Sequence, residues 1–172
     1  PILVTALIGN GIPAFLFAKA QTQLDSSLVG TLNSSVPLFT LILGIYFFGS
    51  RPSKLNIMGI LVGFLGTLFL TFNNFKAVDS FNIYTLLVIL ATICYATSIN
   101  VIKKYLYDLN ASSIATLSFL VLGPFAAIYI INNDLLIVLN STTEGYTALA
   151  YIALLAILGT SLATIIFNIF MI

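Results

Sequence analysis

From Phe81 to Ile102 the chain reads FNIYTLLVILATICYATSINVI, twenty-two residues without a charged side chain. A hydrocarbon core about 30 Å thick is crossed by roughly 20 helical residues at 1.5 Å each, so this stretch is long enough to span a bilayer. Within it Leu86, Leu87, Val88, Ile89 and Leu90 are continuously apolar, whereas the strands of a membrane barrel alternate apolar and polar side chains. In lipid every backbone N–H and C=O needs an internal partner, so the stretch reads as a helix.

Five further runs share this character: Ile2 to Ala18, Leu28 to Phe48, Ile57 to Phe72, Ala111 to Ile131, and Thr147 to Ile172. With 6% charged residues, 60% hydrophobic residues and a mean hydropathy of +1.14, too little polar side chain exists to coat a water-soluble domain. The sequence therefore predicts an all-α, polytopic transmembrane helix bundle of about six spans. Its connections Gln21 to Ser27, Gly49 to Asn56, Asn73 to Ser80 and Lys103 to Asn110 are tight, which makes consecutive helices antiparallel neighbours. The longest, Asn132 to Tyr146, holds a short apolar stretch, Leu135 to Leu139, suited to lying on the membrane surface.

Several function classes drop out. A net charge of +1 offers no basic patch for nucleic acid. There is no His, no acidic residue inside any span, and no cluster able to ligate a metal or supply an acid and base pair, so no metal, cofactor or enzymatic chemistry is expected. Cys94 stands alone and reads as a small buried residue. Lys19 reads as a boundary residue whose ammonium snorkels to water.

The chain opens on Pro1 without the charged region of a signal peptide and closes at Ile172 inside an apolar run, so it is expected to be an internal piece of a larger membrane protein. Placing Arg51, Lys54, Lys103 and Lys104 in the cytoplasm leaves Lys76 outside and Lys19 near the outer boundary, the orientation favoured by positive charge in short loops. Tyr105 and Tyr107 would then lie at headgroup depth. The expected location is the cell membrane, as a multi-pass protein of a bacterial inner membrane.

Shifting the sixth run onto the first by 150 positions pairs Ile2 with Ile152, Ala6 with Ala156, Gly9 with Gly159 and Phe17 with Phe167. Five spans is an odd number, so the two copies would cross the membrane in opposite senses, as in an inverted repeat. Within the spans, Gly30, Ser34, Pro37 and Gly44 share one side of the second helix and Gly59, Gly63 and Gly66 one side of the third, seams that predict close helix approach. Pro13, Pro37 and Pro124 lack an N–H and free the carbonyls of Gly9, Asn33 and Leu120, which need other partners. Pro37 has Asn33, Ser34 and Ser35 within a turn, and Pro13 has Asn10, so these two places are the candidate cavities. Tyr95 and Ser98, three apart on the fourth helix, and Asn168 on the sixth, extend a neutral hydrogen-bonding lining. The candidate substrate-binding residues are thus Asn10, Pro13, Asn33, Ser34, Pro37, Tyr95 and Ser98.

The stretch from Asp25 to Phe72, with Ser34-Ser35-Val36-Pro37-Leu38 inside a span, Phe48-Gly49 and Arg51 at its end and Gly59 opening the next, resembles the EamA-type drug/metabolite transporters. Cys94-Tyr95-Ala96 followed by Lys103-Lys104 is similar to the opening helix of that family's second half. The resemblance implies a ten-helix inverted-repeat transporter, of which residues 1–76 would end the first repeat in three spans and residues 77–172 begin the second in three, the last truncated. One position departs from the family's turn: its Glu is Ser50 here. The implied function is secondary transport, export of a small organic metabolite or drug by alternating access. The contrasting reading is a non-transporting membrane subunit, an anchoring or assembly component whose polar residues only bind helices together. Expected partners are a small-molecule substrate and the lipid bilayer, with self-association into a homo-oligomer left open.

Overall fold

The computed structural model describes residues 1–72, 82–132, 139 and 145–158, which form helices and no strands. In chain order they are α1 (Ile2–Ala6), a π-helical stretch (Leu7–Gly11), α2 (Ile12–Gln21), α3 (Ser26–Asn33), α4 (Val36–Phe48), α5 (Lys54–Phe72), α6 (Ile83–Tyr105), α7 (Ala111–Asn132) and α8 (Gly145–Leu155). Four helical stretches among the described residues are long and apolar enough to cross a membrane: Ile2–Gln21, Ser26–Phe48, Ile83–Tyr105 and Ala111–Asn132. The 23 residues of Ser26–Phe48 give about 34 Å of helix at 1.5 Å each. The polytopic helical bundle is therefore present, with α5 and Gly145–Leu158 as shorter apolar helices. Lys76, Asp79, Asp134, Glu144, Gly159, Phe167, Asn168 and the rest of the sixth run past 158 lie outside the described residues, as does Leu135 to Leu139 apart from Leu139.

Each proline is accommodated differently. Ahead of Pro13 the helix widens: the Ile12 N–H donates to the Leu7 carbonyl, five residues back. The wider turn takes up a ring that would strike the carbonyl four residues back in a regular α-helix. At Pro37 the second span is broken instead of kinked. Helix α3 stops at Asn33, the Ser34 N–H bonds to the carbonyls of Gly30 and Thr31 (3.0 and 3.1 Å), and α4 starts anew with Pro37 in its first turn. A proline fits there because the first N–H groups of a helix have no intrahelical acceptor. Helix α7 runs on through Pro124.

The first compact unit, Pro1–Tyr107, is organised around α6. Asn82 starts that helix by accepting from the N–H groups of Tyr84 and Thr85 at 3.1 and 3.2 Å, a cap worth about 1 kcal/mol. Helix α6 is more buried than the other spans, and it packs chiefly on α2 and α4. At its N-terminal end Val88 joins Ala20, Leu24 and Val29 in a small core flanked by Phe17, Leu28 and Leu32. Helix α6 would open the second repeat by sequence, yet it packs with the helices expected to end the first. Residues from Asp108 onward form the second unit, in which Ile114 and Ser118 of α7 are buried.

Helix α4 ends where Gly49 takes a left-handed conformation (φ 70°), a region in which an L side chain costs roughly 1–2 kcal/mol. Its N–H and that of Ser50, at 2.8 Å, converge on the Gly44 carbonyl. Lys104 of α6 completes this end, its Nζ 3.4 Å from the Phe48 carbonyl and 5.7 Å from the Phe48 ring centroid. A cation at a helix C-terminus is favourable because the unpaired carbonyls carry partial negative charge.

Candidate functional site

The seven candidate residues fall into two groups in the first unit. Asn10, Pro13, Tyr95 and Ser98 belong to the contact of the π stretch and α2 with α6. Pro13 and Ser98 are buried, while Asn10 and Tyr95 are half-buried. Tyr95 stacks on Phe17 with ring centroids 5.7 Å apart and 27° between planes. Gly9 lies so close to Ser98 that a Cβ added to it would stand 3.0 Å from Ser98 Cβ, besides meeting the hydroxyl. This brings a serine hydroxyl beside the residue whose carbonyl Pro13 deprives of its α-helical partner. Packing of small against small makes the approach possible.

Asn33, Ser34 and Pro37 line an open groove of about 550 Å³ with Gly59, Gly63 and Phe64 of α5. Asn33 and Pro37 are exposed and Ser34 is half-buried. The Ser34 hydroxyl sits 2.5 Å from the Thr31 carbonyl and 3.0 Å from the Thr67 hydroxyl, which donates to the Phe64 carbonyl at 2.7 Å. Ser34 thus ties α3 to α5, while the helix break leaves Asn33 facing the groove. Gly30, Gly59, Gly63 and Gly66 have open space where a Cβ would stand, so the close approach expected of those seams does not occur there among the described residues. Gly44 does carry it: a Cβ there would meet Asn100 Oδ1 at 2.9 Å and Ser50 Oγ at 3.3 Å.

A second open cleft, of about 710 Å³, shares Pro37 and Ile60 with the first and is lined further by Thr40, Ser50, Arg51, Ser53, Asn56, Asn100 and Lys103. The two therefore adjoin along the seam of α4 and α5, from the helix break at Asn33 to the basic end at Arg51. Asn100 is 3% exposed, and its Nδ2 donates to the Thr40 carbonyl at 3.0 Å and the Ala96 carbonyl at 2.9 Å. Sequence reasoning missed Asn100 as a lining residue, although it carries the same signal as Asn10 and Asn33, a buried amide in an apolar span. Arg51 and Lys103 were legible as markers of orientation and of the family resemblance, but not as residues of one cleft. Among the described residues no three His, Cys, Asp or Glu side chains gather as a metal site.

The seam is thus lined by neutral polar side chains along most of its length, with Arg51 and Lys103 at one end. No curated protein and no solved structure matches the chain. The model of the EamA-like transporter family does match residues 1–72. The stretch from Pro1 through the π turn to the end of α5 is therefore similar to the EamA-like transporter family.

Proposed function

We propose that the chain is part of a secondary carrier that exports a small organic molecule by alternating access. The observation that carries this reading is the pair of adjoining clefts along the α4–α5 seam, which offers neutral hydrogen-bonding groups at Asn33, Ser34 and Asn100 between aliphatic walls. Carriers of this type hold substrate near the bilayer midplane, at interrupted helices whose backbone groups are free to bind it. The break at Ser34 and Ser35 supplies such an interruption beside the groove. In this reading Asn33, Ser34 and Pro37 contact substrate in the groove, and Asn10, Pro13, Tyr95 and Ser98, at the separate α2–α6 contact, offer a second substrate-binding surface.

The inverted-repeat arrangement draws support from an unusual coincidence. A π-helical conformation, which accounts for well under 1% of residues in proteins, occupies Leu7–Gly11 and again residues 156–158. The offset is that of the sequence repeat to within a residue. We take residues 1–76 as the end of one repeat and 77–172 as the start of the other, with the Arg51 and Lys103 end in the cytoplasm of a bacterial inner membrane.

The test begins with metabolite export from cells with and without the intact gene, which identifies a substrate. Asn33→Leu and Tyr95→Phe are then reconstituted in vesicles. Loss of one hydrogen bond to substrate, about 0.5–1.5 kcal/mol, should lower flux by roughly twofold to tenfold with membrane yield unchanged. Flux equal to the parent protein in both variants removes these residues from the site.

A further inference from the structure

We propose that the cleft at the basic end of the α4–α5 seam binds the phosphate of an anionic membrane lipid, with the start of an acyl chain lying against the aliphatic residues of that same cleft. The inference needs the chain to be a membrane protein but does not depend on transport. Arg51, from the α4–α5 connection, and Lys103, from α6, place two cations from separate elements on one cleft. Among the described residues no carboxylate lines that cleft, and the position beside Arg51 is Ser50. Neutral donors surround the cations, namely Ser50, Ser53 and Asn56. Helix α5 adds the partial positive charge of its N-terminus: Ser53 Oγ accepts the Asn56 N–H at 3.2 Å, and the other early N–H groups of a helix point out of its end.

The charge is matched by shape. Below the cations the walls are aliphatic, with Leu41 and Ile99 leading to Pro37 and Ile60, which belong to both clefts. A free inorganic anion would use the polar end and leave this wall unoccupied, whereas an amphiphile fills both. The cations also stand at the end of membrane-length helices, where lipid phosphates lie, and basic pockets between transmembrane helices are a recognised way of holding acidic headgroups. Arg51 supplies a planar fork suited to two phosphate oxygens and Lys103 a point charge.

The experiment uses the full-length protein, purified in detergent and transferred to nanodiscs made of one part phosphatidylglycerol to three parts phosphatidylcholine, then examined by native mass spectrometry for retained lipid. We expect retained phosphatidylglycerol in the parent protein. At about 1 kcal/mol per cation near a charged surface, Arg51→Gln with Lys103→Gln should weaken retention roughly thirtyfold, and Lys19→Gln, at the other end of the helices, should leave it unchanged. Ser50→Glu keeps both cations but introduces a carboxylate, and it should also abolish retention; this variant preserves the test if the double variant does not fold. Retention undiminished in Ser50→Glu overturns the proposal, as does equal loss in Lys19→Gln. Displacement of the lipid by millimolar glycerol phosphate would overturn the lipid assignment in favour of a soluble anion.

Discussion

Replacing Gly44 by Ala tests how α4 and α6 are joined. The added Cβ would lie 2.9 Å from Asn100 Oδ1 and 3.3 and 3.4 Å from Ser50 Oγ and Cβ. Asn100 cannot swing away freely, because its Nδ2 is held by the Thr40 and Ala96 carbonyls. Overpacking of this kind costs typically 1–3 kcal/mol, and each interhelical hydrogen bond disturbed in a membrane adds on average about 0.6. Against this, exchanging Gly for Ala inside a helix returns up to about 1 kcal/mol. The net expectation is a loss of roughly 1–3 kcal/mol. Gly63→Ala is the internal control, since nothing lies within 4 Å of its added Cβ; it should be neutral or stabilising by up to about 1 kcal/mol. Unfolding of the purified protein in mixed micelles, followed by far-UV circular dichroism, measures both. A third protein, Gly44→Ala with Asn100→Ala, removes the obstacle along with its partner, and its loss should be smaller than the sum of the two single losses by at least about 1 kcal/mol. Equal stabilities of Gly44→Ala and Gly63→Ala, or strict additivity in the double variant, would refute the proposed contact.

Three further outcomes follow from the same geometry. Ser34→Ala should cost about 0.6 kcal/mol and couple with Thr67→Val in a double-mutant cycle as well as lowering flux, whereas Asn33→Leu should leave stability unchanged and act on flux alone. Gly49→Ala should destabilise by roughly 1–2 kcal/mol, visible in the same unfolding assay, because its φ of 70° is unfavourable for a residue with a Cβ. Lys104→Met should cost at most about 1 kcal/mol, and the difference from the parent protein should shrink on addition of salt; a difference independent of salt would point to lost packing of the lysine stem instead.

Much of the fold is written in one dimension. A run such as Leu86 to Leu90 leaves no alternative to a helix in lipid, because unpaired backbone is too costly there. The positions of trouble were also legible: Pro13 and Pro37 mark the two irregular places in the first two spans. What differs is the remedy. A widened turn answers Pro13 and a fresh helix start answers Pro37, a choice set by neighbours. Ser34, next to Thr31 and Thr67, can stitch a break together, while Gly9 must stay in register with Ser98. The glycine seams were legible as small faces but not as contacts, since a small face packs only if another helix arrives. It does so at Gly44 and leaves a groove at Gly59 and Gly63.

The sequence by itself determined the solvent, the helical class and the family likeness within the first 72 residues, because each depends on composition and local pattern. Only the tertiary structure decided that α6 is shared by α2 and α4, that Asn100 lines a cleft and secures two helices, and that Arg51 and Lys103 stand on one opening. Those facts join residues some fifty or more positions apart, and such pairings are fixed by which surfaces meet in space, which no local pattern encodes.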